Sequence, residues 1–132
     1  MRAYTLRMPD QLQSVVLMCR DTEAAKGWYE SMGFRYLRGY HGMHWVAAGS
    51  TEIMLHPAEQ PSGGSGLVLH AGVPDARAAF DRARAAGLEP YDHQQPGVKL
   101  EAPVTRPWGA VEFELDDLDG HRWGFTQSPA RS

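Results

Sequence analysis

Residues 114–123, ELDDLDGHRW, place Asp116, Asp117 and Asp119 beside Gly120, His121 and Trp123. Such a run could bind calcium, supply paired carboxylates for acid–base work, or simply turn the chain. As a calcium loop it fails. With Gly120 at the sixth position, Leu115 takes the first and Thr126 the twelfth, where carboxylates are required. Adjacent aspartates in a loop are normally solvated, which argues against a tuned catalytic pair. A tight turn remains, with aspartate side chains accepting local backbone N–H groups. His121 in that turn is expected to be exposed to solvent.

The other chemistry-bearing residues are scattered. Six histidines are present: His41, His44, His56, His70, His93 and His121. His56 and His70, with Glu52, are a conceivable metal set, whereas His41 and His93 stand beside turn residues and carry no signal. No G-x-S-x-G motif is present, and SGGSG lacks the lysine and helix of a phosphate loop. The lone Cys19 lies in the apolar run SVVLMC and reads as a buried thiol, since a reactive one needs an accessible, electropositive setting. Trp45 and Trp108 sit near small residues and are candidates to stack on a flat ligand. Tyr40, His44 and Tyr91 are weaker ones, and Arg122 offers a charged contact.

The elements that must position these residues come in two copies. SVVLMCRDTEAAKGWYESMGF starts at Ser14 and VLHAGVPDARAAFDRARAAGL at Val68. Aligning Asp21 with Asp75 also aligns Gly33 with Gly87. Each copy reads as an apolar strand, an aspartate able to cap a helix, the helix, and a glycine to stop it. β signals follow: FRYLRGY, MHWVAAG and TEIMLHP in the first copy, then LEPYDH, GAVEFELDD and HRWGFTQ in the second. PAEQPSGGSG links them. The chain is therefore expected to be one α+β domain spanning 1–132, with βαβββ modules at about 12–57 and 66–127 and a linker at 58–65. Alternation sends Val15, Leu17 and Cys19 toward the helices, with Leu69 and Ala71 as their counterparts. Ser14, Val16, Met18, Val68, His70 and Gly72 take the other face. Trp123 and Phe125 belong to the helix side, as does one of Trp28 and Tyr29.

Composition narrows the function classes. At 132 residues the chain suits one domain with a real core. A net charge of −3 without a Lys/Arg run gives no reason to expect nucleic acid. No apolar stretch approaches the ~20 residues of a membrane span, and the first residues lack the apolar core of a signal peptide. A single cysteine fits a reducing cytoplasm.

DDLDGHRWGF resembles the D-P-D-G-x-x-x-x-F ending of the glyoxalase/bleomycin-resistance/dioxygenase superfamily, the vicinal oxygen chelate fold. VVLMCRDTEAAKGWYESMGF is similar to its opening, GVPDARAAFDRARAAG to its second-half helix and WGAVEFELDD to its penultimate strand. The resemblance covers residues 12–127. It implies two βαβββ modules forming an open eight-stranded cup with helices on the outer face, commonly as a homodimer, with a site inside the cup. Metal-using members place ligands at four positions that fall here on Ser14, Met54, Val68 and Gly124. Together they supply no ligand set that Zn, Ni, Fe or Mn would accept, so no metal or other cofactor is expected. The reading closest to the resemblance is a metal-free binding protein of the bleomycin-resistance type. It would sequester an aromatic or peptide antibiotic through Trp45, Trp108, His44, His56, His70, Arg122 and Tyr91. The alternative is a glyoxalase-like lyase, isomerase or dioxygenase with displaced ligands.

Overall fold

A computed structural model describes residues 9–129, so the ends of the expected 1–132 domain lie outside the described residues. The first module comprises β1 (Ser14–Cys19), α1 (Thr22–Ser31), β2 (Arg35–Tyr40), β3 (Met43–Ala48) and β4 (Thr51–Pro57). The second comprises β5 (Val68–Gly72), α2 (Ala76–Ala85), β6 (Val104–Thr105), β7 (Val111–Asp116) and β8 (Arg122–Gln127). Both helices start as the repeat requires. Asp21 accepts the Ala24 N–H at 3.1 Å and Asp75 the Ala78 N–H at 3.0 Å. Gly33 and Gly87 follow the helices with φ of 93° and 80°, where a side chain would be strained.

Each module closes its own mixed sheet, in the orders β1-β4-β3-β2 and β5-β8-β7-β6. Eight strands are present, in two open four-stranded sheets. Within each, the first and last strands pair in parallel, Val16 opposite Met54 and His70 opposite Gly124. One difference concerns the second module. LEPYDH is not a strand: Pro90 has no N–H to donate, and Asp92 turns the chain by accepting the Gln94 N–H at 3.0 Å. Only Tyr91 bridges to Glu114, and the edge strand is the two-residue β6.

Leu17, Cys19, Val46, Ile53 and Leu55 bury the helix side of the first sheet, and Phe113, Leu115, Trp123 and Phe125 that of the second. Trp28 and Tyr29 are both buried, where only one was expected. The modules share this core. Tyr29 and Phe34 meet Trp123 edge-to-face at centroid distances of 5.8 and 5.1 Å. Burial pushes the Cys19 thiol up to about 12, with Asp119 and Asp117 adding to the effect, so it behaves as core.

Candidate functional site

The opening run is indeed a turn, but half of it is buried. Asp117 accepts the backbone N–H groups of Asp119 and His121, both at 2.9 Å, together with the Tyr29 hydroxyl at 2.5 Å. It also pairs with His121 Nδ1 at 2.7 Å. His121 is only 5% exposed, which corrects the expectation of a solvated imidazole. Its Nε2 meets Ser62 Oγ at 2.6 Å, and that hydroxyl accepts the Met18 N–H at 3.0 Å. Burial alone would raise the Asp117 pKa. Hydrogen bonds from His121 and Tyr29 outweigh it and hold the carboxyl below its ordinary value. Ser62, His121 and Asp117 line up in the order of a nucleophilic relay, yet the Ser62 hydroxyl already accepts the Met18 N–H and lies against a buried imidazole. The arrangement ties the linker and β1 to the final turn. Gly63 completes the tie, because a Cβ there would lie 1.9 Å from the Asp119 carbonyl oxygen.

The titratable residues with room around them lie on the face of the second sheet opposite its helix. A pocket of about 180 Å³ opens there, bordered by His70, His93, Glu112, Glu114 and Arg122, with Gly124 at its floor. Gly124 makes the space: the His70 ring lies over it, 3.3 Å from where a Cβ would be. Arg106 anchors one wall, with a bidentate pair to Asp92 (3.1 and 2.9 Å) and a bond to Glu112 Oε1 at 2.6 Å. The guanidinium holds Asp92 well below the usual carboxylate range. For Glu112, burial is outweighed by hydrogen bonds from Arg106 and Thr126, and its pKa falls. Glu114 Oε1 accepts the His93 backbone N–H at 2.8 Å and meets the His93 ring Nδ1 at 2.6 Å. Tyr91 donates to Asp116 at 2.5 Å, and burial followed by that bond raises its hydroxyl pKa to about 12. The Arg122 guanidinium lies over the Tyr91 ring, 5.8 Å from its centroid.

Of the residues expected to bind a ligand, His70, Arg122 and Tyr91 thus share one face. Trp45 stands on the corresponding face of the first sheet, between its register partners Met54 and Arg38. The Arg38 guanidinium lies 4.8 Å from the Trp45 ring centroid and bonds Glu52 at 2.7 Å. Period-two alternation puts His56 on this face too, where its Nδ1 meets the Pro57 carbonyl oxygen at 2.8 Å. His44 is elsewhere: it is buried on the helix side, bonded to Tyr36 at 3.0 Å and Glu23 at 2.8 Å. Trp108 is 65% exposed at the tip of the β6–β7 turn.

The set Glu52, His56 and His70 is divided between the two sheets. Among the described residues the His/Cys/Asp/Glu group with ligand atoms close enough for one ion is Asp92, His93 and Glu114. His93 was missed because its signal is spatial: the Tyr91–Glu114 bridge brings its segment onto β7. A second, apolar-walled crevice of about 1140 Å³ runs where the modules meet, past Met32, Phe34, Ile53, Leu69 and Arg82.

Residues 11–125 match the Glyoxalase/Bleomycin resistance protein/Dioxygenase superfamily, and the chain belongs to that superfamily. No protein of curated function matches it. Similar solved structures include TioX from Micromonospora sp. ML1, at 23% identity and a TM-score of 0.67, covering 89% of this chain and 98% of that one. The bleomycin resistance determinant encoded on the transposon Tn5 shares 17% identity at a TM-score of 0.69, covering 91% and 99%. Lactoylglutathione lyase from Agrobacterium tumefaciens shares 16% identity at 0.66, covering 90% and 94%. These likenesses speak to the fold. The positions expected from the family for a metal, Ser14, Met54, Val68 and Gly124, offer no imidazole or carboxylate, and that site does not fit an ion.

Proposed function

We propose that this protein binds and sequesters a small organic molecule on the open faces of its two sheets, as a bleomycin-resistance-type member would. The observation that carries the reading is the glycine-floored pocket on the second sheet, where His70, Arg122 and Glu114 border open space rather than another protein element. Pockets that combine a little apolar wall with a few convergent polar groups are the usual sites of small ligands. Trp45, already stacked under one cation from Arg38, supplies a face on which a planar aromatic ligand can lie. His56 adds a polar contact on that side. The ligand class that suits both faces is a planar heteroaromatic with charged appendages, and sequestration of such an antibiotic would confer resistance.

Val16 and Val68 are exposed on these same faces, which supports a homodimer that covers them. The buried Cys19 suits a cytoplasmic protein. Among the described residues no helix is long and apolar enough to cross a membrane. The alternative is a lyase, isomerase or dioxygenase with ligands displaced to Glu52, His56 and His70.

Tryptophan emission during titration with bleomycin-like and planar heteroaromatic drugs tests the reading. Saturable binding is expected, weakened by about 1–3 kcal/mol in Trp45→Ala, the range for losing an aromatic anchor with its area. Arg122→Ala should matter chiefly for anionic ligands. Trp108→Ala, at the exposed β6–β7 tip, is expected to weaken a stacked ligand in the same assay. Absence of binding by every such drug would remove the proposed function. Unchanged affinity in folded Trp45→Ala would remove the stacking face.

A further inference from the structure

Acidic, basic and imidazole side chains converge on the pocket of the second sheet. Glu112, Glu114, Arg106 and Arg122 line it together with His70 and His93, and Asp92 stands behind Arg106. Arg106 is fully engaged by Asp92 and Glu112. Arg122 is not close enough to satisfy Glu114, since its Nε lies 3.9 Å from Oε2, beyond a hydrogen bond. Among the described residues Glu114 Oε2 has no hydrogen-bond donor, and Glu114 borders the open pocket.

The groups beside it are metal donors. His93 Nδ1 lies 2.6 Å from Glu114 Oε1 and 4.0 Å from Asp92 Oδ1, and one ligand atom from each residue falls within 4.8 Å of the other two. We propose that Asp92, His93 and Glu114 bind a first-row divalent cation of the zinc type at the floor of this pocket. One imidazole nitrogen with two carboxylates selects zinc, cobalt or manganese over calcium, which takes oxygen ligands. The supports that hold such ligands are built in. Arg106 and the Gln94 N–H orient Asp92, and the His93 backbone N–H orients Glu114. Binding an ion through His93 Nδ1 would displace its contact with Glu114 Oε1 and requires the imidazole proton to sit on Nε2. Because His93 is 51% exposed, the ion has a route in from solvent. The remaining coordination positions face the pocket, where a ligand donor atom could complete them. The site uses β7 and the segment that bridges to it, not the four family positions on β1, β4, β5 and β8.

This inference does not depend on the antibiotic-binding reading, and its test uses the metal alone. Protein stripped with a chelator is titrated with Co(II), following the visible d–d absorption, and with Zn(II) by calorimetry. One ion per chain with an imidazole-bearing Co(II) spectrum is expected. Affinity should fall by at least roughly tenfold in His93→Ala and in Glu114→Gln, and persist in His56→Ala. His93 is half-exposed, so its alanine variant keeps the fold and decides the matter if Glu114→Gln does not express. No saturable binding by the parent, equal affinity in His93→Ala, or loss in His56→Ala would each overturn the site. A chain that takes up the ion but binds no drug sustains this inference and refutes the other.

Discussion

Asp92→Asn tests whether the Arg106 ion pair holds up the wall of the pocket. The substitution preserves shape and removes one charge from a pair whose side chains are 1% and 7% exposed. Asp92 accepts two guanidinium bonds as well as the Gln94 N–H and the Gln95 amide, so all four weaken together. Removing one partner of a buried pair costs about 3–5 kcal/mol. Because the amide oxygen still accepts and Glu112 still faces Arg106, about 3 kcal/mol is expected at pH 7. The pH dependence carries the sharper signature. Asp92 is depressed in the folded protein by Arg106, against an unfolded value of about 3.9. A depressed carboxylate contributes stability that is present above the unfolded pKa and lost as pH falls through the folded one. The gap between parent and variant should thus be constant from pH 7 to 5. Below about pH 4 it should narrow by up to about 1.4 kcal/mol per unit, with the carboxylates common to both proteins cancelling. Urea unfolding at pH 7, 5 and 3 measures it. A gap under about 1 kcal/mol at pH 7, or one that does not shrink at pH 3, would refute the reasoning.

Tyr29→Phe removes the donor to Asp117 and the acceptor of the Trp123 indole N–H at 2.9 Å, so a loss of about 2–4 kcal/mol is expected in the same unfolding assay. Ser62→Ala should cost less, about 1 kcal/mol, since the linker keeps its Ser62 N–H bond to the Met18 carbonyl. Gly63→Ala should be worse than either, because its Cβ would collide with the Asp119 backbone rather than with a movable side chain; thermal melting checks the order. Cys19, buried and with its thiol raised to about 12, should react with a disulfide reagent in the native protein only as fast as the chain opens. Rapid stoichiometric labelling under native conditions would contradict its place in the core.

The repeat was legible because its signals are local. An aspartate able to cap, a helix and a glycine with positive φ need only their neighbours, and both copies fold as their spacing requires. The faces of β1, β5 and β8 were equally open to reading, since alternation is a property of the extended chain. Pro90 and Asp92 defeated the reading of the strand that was expected to contain them. That segment resembles a strand in composition but spends its hydrogen bonds on a turn. The candidate site lay beyond any local signal. Asp92 and Arg106 are joined across 14 residues, His93 and Glu114 across 21, and Ser62 and His121 across 59. Each residue taken singly looks like a solvated surface charge or a turn. Tertiary structure decided their chemistry by burying one partner against the other, because a carboxylate or an imidazole withdrawn from water takes its properties from whatever group stands within a hydrogen bond of it.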